Sequence, residues 1–485
     1  MSAGNLKFLV FHLLSVLWLC SPPAQALYFR LDGDRLWLQA DQTPLVDVLD
    51  QFARAGVDVR LDPRIQSKVT GIVLGGELDE TLASLLDSYD YLLTWKVLRG
   101  PLGRVPKLHE IQVFMPGSPA AAQPLAVKPA RFDSTRGVLG TAPEFVKDEL
   151  LVGVREGTTY GQFKRLLDEI GGMIVEVDLA TGVYLIRFPT GTNVEALLRQ
   201  ISGNSIVAHA ELNYVSRLPR APSSADSNGR SIPAVSPPSD GSIPVAVLDS
   251  GLDPNAGLSS ILSAGWDAVD PDRALSDSDG HGTQMAYLAS GLLSADGAYA
   301  SGDVLPLVSI RAFDDDGKTS TFAILQSLAY AAKAGAKVVN MSWGSETDSE
   351  FLRTALQTAY DQGLILVASA GNEPTGKSIY PAAYSTVVAV AGVESDGQIW
   401  KNSNYGDFVD LSASATASLP SGNYAGTSIS SAVVANALAQ YLNRHPDAAR
   451  NDALSALESS LSPSPSGGYG KGVLDSSALR RFLSL

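Results

Sequence analysis

From Ile243 to the end of the chain, short runs of consecutive apolar residues alternate with stretches of helical periodicity. A run that is apolar at every position, not every second one, belongs to a strand covered on both faces. Helices between such runs supply the long crossovers that parallel strands require. The pattern restricts this half of the chain to α/β architecture, a central parallel sheet flanked by helices. The strand "IPVAVLDSG" ends in Asp249, and "VLPLVSIRAFD" leads to a turn at Asp314–Gly317. The helix "STFAILQSLAYAAKAG" feeds the strand "AKVVNMSWGS", and another helix feeds "LILVASAGNEP". "YPAAYSTVVAVAGVE" supplies a further strand, and "GNYAGTSISSAVVANALAQYL" places Ser428 where a loop becomes a helix. Polar residues thus collect at the carboxyl ends of strands, where open α/β sheets gather their active groups.

The 485 residues exceed one ordinary core. The net charge of −15 argues against a nucleic-acid or anionic-membrane partner, because phosphate binding needs clustered Lys and Arg. Residues 1–26 read as a signal peptide. Lys7 precedes an apolar run from Phe8 to Cys20 that is too short to span a bilayer, and Ala24-Gln25-Ala26 is a cleavage signal. A lipoprotein reading of Cys20 is less favoured, because bulky Leu19 precedes it; an uncleaved anchor is the other alternative. Cys20 is the single cysteine, so the exported chain has no thiol nucleophile and no disulfide. No later stretch is long and apolar enough to cross a membrane. Export to the periplasm or the medium is the expected location.

Two smaller units precede the sheet. Residues 27–116 combine a strand at Leu36–Ala40, a helix opened by Pro44 with Leu45, Val48, Leu49 and Phe52 on one face, and strands at Val57–Leu61 and Gly71–Leu74. A helix near Thr81–Tyr89 and strands at Leu92–Leu98 and Leu108–Met115 follow. Gly117–Ala142 is rich in Pro, Ala and Gly and reads as a flexible linker (117–142). Residues 143–218 show a strand, a helix with Phe163, Leu166, Leu167 and Ile170 at helical spacing, two strands, a helix at Asn193–Ile201 and a last strand at Ile206–Leu212. Both units read as small α+β domains. A second linker, 219–240, leads to a domain at 241–485.

Each candidate group in 241–485 is weak alone. Asp249 could be a turn residue, His281 in "DSDGHGT" a solvated loop side chain, Ser428 an N-cap and Asn372 a turn former. Together they offer a nucleophile, a base, an acid and an amide donor. A serine hydroxyl needs an imidazole to take its proton during attack. The only other histidine of this half, His445 in "NRHPD", looks like an exposed helix end, which leaves His281 as the base. Asp249, 32 residues before it, can hold the imidazole in one tautomer and stabilise its cation. The Ser428 N–H and the Asn372 amide can donate to a developing oxyanion.

This set, in the order Asp, His, Asn, Ser, resembles the subtilisin family, and the chain order is the one known for subtilisin itself. The resemblance implies a serine endopeptidase with Asp249, His281 and Ser428 as triad and Asn372 in the oxyanion hole. It further implies a polypeptide substrate laid along Ser342, Trp343 and Gly344, with Ala370 and Gly371 across the pocket. Trp343 could narrow an apolar pocket, and Glu373 could favour a basic residue at its rim; packing and a solvated charge are the plain alternatives. Two positions depart from the family pattern: Gln284 replaces a second histidine, and Ile429-Ser430-Ser431-Ala432 replaces Met-Ala-x-Pro. The start of the catalytic domain also looks abbreviated. No cofactor is required; calcium is a possibility without a motif, since Asp314-Asp315-Asp316-Gly317 has the spacing of no calcium loop.

The phrases "DELLVGVREGTTYGQFKRLLDEIGG" and "IVAHAELNYV" resemble the subtilisin-type propeptide, which implies a zymogen. "TPLVDVLDQFARAGVDV" and "VTGIVLGGELDETLASLLDSYDYLLTW" resemble the short N-terminal domain of secretins and TonB-dependent receptors, which implies an envelope protein partner. A catalytically silent protease fold that only binds is the alternative reading of the whole.

Overall fold

The computed structural model describes residues 27–485 except 33–34, 55, 126–131, 138–142, 220–222, 225–231, 234–237, 240, 272 and 300–302. The signal segment with Lys7 and Cys20, and most of the 219–240 linker, lie outside the described residues.

The described chain divides into two units, one reaching Thr94 and adding His109–Ala126, the other made of Trp95–Leu108 and the chain from Val127 onward. In the first, Leu27–Asp32, Arg35–Pro44 and Lys68–Glu77 form an antiparallel sheet. The helix Leu45–Arg54 follows Pro44 directly and buries Leu45, Val48, Leu49 and Phe52. The second helix spans Leu78–Leu85, three residues earlier than its leucine spacing indicates, because Leu78 adds a turn to the same buried stripe. Gln123–Pro124 is not free linker: it pairs with Asp58–Leu61. Backbone pairing of this kind leaves no mark in composition.

In the second unit, Met173–Asp178, Val183–Arg187, Glu144–Val154 and Val207–Arg217 lie side by side, each antiparallel to its neighbour. The helix Tyr160–Ile170 begins with a Thr159–Gln162 capping box, and Val194–Ile201 is capped by Asn193. These caps satisfy N–H groups that the first helical turn leaves without partners. Phe163, Leu166, Leu167, Val194 and Ile201 face the sheet. Ser134–Arg136, expected to be linker, pairs with the Glu144–Val146 end of its strand. Leu98 and Leu102 also pack on this core, so Trp95–Leu108 belongs here and not to the first domain as the 27–116 boundary expects.

The largest sheet has nine strands among the described residues. Its order is Leu262–Asp267, Leu307–Arg311, Val245–Asp249, Val338–Met341, Ile365–Ser369, Val387–Val393, Leu411–Ser414, Gly472–Leu474 and Ser462–Pro463. All neighbours are parallel except the last pair. Val245–Asp249, first of these in the chain, sits inside the sheet with later strands on both sides, so the winding reverses at its carboxyl end, the usual place for a site. All five of its residues are buried. Helices cover both faces: one layer holds Met285, Leu288, Val434 and Leu438, the other Leu325, Leu328, Leu352 and Leu356. No helix among the described residues is long and apolar enough to cross a membrane.

Candidate active site

Asp249 is the last residue of its buried strand and is fully shielded from solvent. His281 is the first residue of the helix His281–Ala289, which packs along the helix Thr427–Arg444. The His281 Nδ1 lies 2.7 Å from Asp249 Oδ1. Two glycines permit that approach. A side chain on Gly282 would meet the Gly251 carbonyl at 2.5 Å, and one on Gly251, whose φ is +116°, would meet the Ser276 carbonyl at 2.0 Å. Ser250 ties the two segments: its N–H donates to Asp249 Oδ1 at 2.8 Å and its Oγ accepts from the Gly282 N–H at 2.8 Å. Asp277 accepts from the Gly280 and Thr283 N–H groups, and Asp279 accepts from the His281 N–H, fixing the turn that delivers the imidazole.

Electrostatics support a base at this position. Burial disfavours the imidazolium, but the carboxylates of Asp249, Asp279 and Asp277 together outweigh it and lift the His281 pKa above its ordinary value. Burial also pushes the Asp249 carboxyl up, against the stabilising effect of His281 and the Ser250 N–H. With Asp249 on Nδ1, the free electron pair of neutral His281 lies on Nε2, which is buried and has no hydrogen-bond partner among the described residues.

Ser428 stands in the first turn of Thr427–Arg444, where the helix dipole is positive. Its Oγ donates to the Ser342 carbonyl at 3.2 Å and not to His281 Nε2. Asn372 is anchored by Oδ1, which accepts from the Thr427 N–H at 2.9 Å and the Thr427 hydroxyl at 2.8 Å. Because a backbone N–H needs an oxygen, this fixes the amide orientation and leaves Nδ2 as the outward donor.

The expected substrate-contact residues divide. Ser342 is buried, and its hydroxyl joins Asn340, Ser431 and the Ser428 carbonyl. Gly344 bridges to Arg217 of the preceding small domain. Gly371, with φ +107°, donates its N–H to Thr427 Oγ1, and Glu373 is solvent-exposed. Trp343 does not narrow a pocket: it is 1% exposed and packs against Phe313, because its large apolar ring gains most by facing the core. Ala370 is likewise turned inward against Ala391 and Val409. His445, expected to be exposed, is half-buried against the Tyr441 ring. Ser430 and Ser431 bond carbonyls of Ala413, Ser414 and Ser428, which satisfies their hydroxyls inside a buried helix. Asp314–Gly317 is a turn closed by Asp314 on the Asp316 and Lys318 N–H groups, and no cluster of metal-ligating side chains occurs among the described residues.

Thr427, Ser250, Asp277 and Asp279 support these groups without standing out in the sequence as candidates. For the first two the signal was available in "GTS" and "DSG", where a hydroxyl adjoins each candidate.

A strand of the small domain also reaches this region. Val215, Ser216 and Arg217 pair with Ser320, Thr319 and Lys318, and Arg217 bridges Gly344. Further on, Ser223–Ser224 pairs with Tyr424 and Asn423, four and five residues before Ser428. Backbone pairing thus sets Val215–Arg217 beside Lys318–Ser320 and Gly344, and Ser223–Ser224 beside Asn423–Tyr424.

Residues 240–472 match the model of the Subtilase family, and residues 138–213 match that of the Fervidolysin N-terminal prodomain. The chain is 31% identical over 199 residues to thermitase of Thermoactinomyces vulgaris, covering 39% of this chain and 71% of that protein. It is 35% identical over 175 residues to the minor extracellular protease Epr of Bacillus subtilis, covering 36% of this chain but only 27% of Epr. Among solved structures, fervidolysin from Fervidobacterium pennivorans, a keratinolytic enzyme related to subtilisin, superposes with a TM-score of 0.55 at 20% identity. That likeness covers 70% of this chain and 61% of the other, and concerns the fold.

Proposed function

The chain belongs to the subtilase family as a subtilisin-like serine protease with a prodomain, and from that premise we propose an exported zymogen that cuts polypeptides with Ser428, His281 and Asp249. The observation that carries the reading is the pairing of the prodomain's own strand with Lys318–Ser320 and with Gly344, two residues beyond the Ser342 carbonyl that accepts from Ser428. Main-chain pairing of this kind accepts an extended polypeptide with little regard to sequence.

In the proposed reaction the Ser428 hydroxyl leaves the Ser342 carbonyl and attacks the scissile carbonyl carbon. His281 Nε2 takes its proton, and Asp249 stabilises the imidazolium and holds the ring. Asn372 Nδ2 and the Ser428 N–H donate to the oxyanion. As the intermediate collapses, His281 gives the proton to the leaving amine. Water, activated by the same imidazole, then releases the acyl group from Ser428.

The test is Ser428→Ala in the full chain. It should accumulate at full length, folded and inactive, while the parent loses its prodomain and digests casein. A Ser428→Ala protein that matures and digests casein normally would overturn the reading. The bond from Ser428 Oγ to Ser342 favours a second reading, a silent fold that binds without cutting. An organophosphonate probe that labels the parent at Ser428 removes it.

Residues 27–116, through their likeness to the short domain of secretins, point to an envelope protein partner and to the periplasm as the site of action. Fractionation of cells producing the parent tests this: a protein missing from the periplasmic fraction sinks it.

A further inference from the structure

Arg217 and Lys318 stand directly opposite each other in an antiparallel pair, so their side chains share one face. On the other side of Arg217 the partner is Gly344, which offers no side chain at all. A side chain on Gly344 would meet Ile379 Cγ2 at 2.4 Å and the Tyr380 carbonyl at 3.1 Å, so that side is closed to any substitute. Among the described residues of the catalytic domain, Lys318 is then the cross-strand side chain that the residue at Arg217's place meets.

Two cations opposite each other repel, and the prodomain supplies the remedy. Glu144 receives Arg217 in a fork of bonds at 2.8, 3.0 and 3.1 Å and stands 3.9 Å from Lys318 Nζ. Ser134 bridges the group, accepting from Lys318 Nζ at 3.0 Å and donating to Glu144 at 2.5 Å. Burial works against the Glu144 carboxylate, yet Arg217, Ser134 and Lys318 hold its pKa below the ordinary range. Asp314, in the turn that leads to Lys318, spends an oxygen on the N–H groups of Asp316 and Lys318. Glu144 and Ser134 belong to the segment ahead of Arg217 and depart with it on maturation; Lys318 stays.

We propose that Lys318 is a specificity-determining residue of the mature enzyme, favouring an acidic side chain in the substrate residue that takes the place of Arg217. The inference rests on the reading of this groove as the polypeptide-binding cleft. It also explains the mismatch at Arg217: the prodomain's own residue fits there only while Glu144 accompanies it, so the released strand is a poor competitor for substrate.

The test uses the self-matured full-chain product and internally quenched peptides of neutral residues. A single Glu, Gln or Lys is walked along the amino side of the scissile bond, which mass spectrometry locates. At one position Glu should exceed Gln in kcat/KM by about two- to five-fold, the span of an exposed ion pair, and Lys should fall below Gln. The preference should shrink in high salt. Lys318→Glu should reverse the order at that position and Lys318→Ser should abolish it. Equal rates for Glu and Gln at every position, with the peptides otherwise cleaved, overturn the inference and leave the protease reading intact. Cleavage of no peptide overturns both. The walk with the parent enzyme needs no variant, so a misfolded Lys318→Glu chain does not prevent a decision.

Discussion

The Thr427 hydroxyl and backbone N–H both donate to one oxygen of Asn372. The same hydroxyl accepts from the Gly371 N–H at 3.2 Å, so one side chain fixes the amide and the strand end that carries it. An oxyanion donor works only if it is held in place before charge develops. Thr427→Val removes both hydroxyl bonds, and the loss of the one that holds the Asn372 amide should lower kcat by about five-fold with little change in KM. With Asn372 as the proposed oxyanion donor, Asn372→Ala should lower it by about 10²–10³-fold, the usual cost of removing one such donor. Steady-state kinetics on a peptide substrate checks both.

The acid limb of the pH profile should lie above the ordinary histidine value of about 6.5. In the proposed mechanism neutral His281 is the active form, and the carboxylates of Asp249, Asp279 and Asp277 raise its pKa. Activity is therefore lost as pH falls through that raised value. Asp279→Asn removes one of the raising charges while Oδ1 still accepts from the His281 N–H, so the limb should move to lower pH. A kcat/KM profile with the limb unmoved contradicts this.

The prodomain should hold more firmly in mild acid. Glu211, on its last strand, is buried against the start of the helix Glu350–Asp361, where it accepts from the Ser349 hydroxyl and the Glu350 N–H. Burial raises its pKa in spite of these bonds and of His209, whose Nε2 lies 3.5 Å away. Its folded pKa exceeds the unfolded one, so its contribution is fully present at low pH and declines as pH rises through the folded value. The Tm of full-chain Ser428→Ala, followed from pH 7 to pH 5, should rise relative to that of the same chain carrying Glu211→Gln. Parallel curves would refute it.

Gly282→Ala should harm both stability and rate. Its Cβ would press on the Gly251 carbonyl and N–H at 2.5 and 2.8 Å, backbone atoms that cannot swing aside. The cost of such overpacking is about 1–3 kcal/mol, and the forced shift falls on the segments carrying Asp249 and His281. Denaturant unfolding of the Ser428→Ala background gives the first effect and peptide kinetics in the active chain the second.

Much of this molecule is written in local pattern. Consecutive apolar residues in "VAVLD" and "ILVAS" are buried on both faces of a parallel sheet, and the glycines beside Asp249 and His281 mark the close approach of two backbones. The prodomain helices carry their caps and buried faces in the order of their residues. These properties depend on neighbours within a turn or two, so the sequence by itself determines them. Which distant groups meet is another matter. Trp343 could face a cleft or the core, and only its fit beside Phe313 turns it inward. Glu144, Arg217 and Lys318 are unremarkable charges until sheet pairing brings strands from two domains edge to edge. Gln123–Pro124 reads as linker until an open edge accepts it. Such contacts join residues with no shared periodicity, and their energy exists only once the backbone has closed around them; the tertiary structure alone decided them.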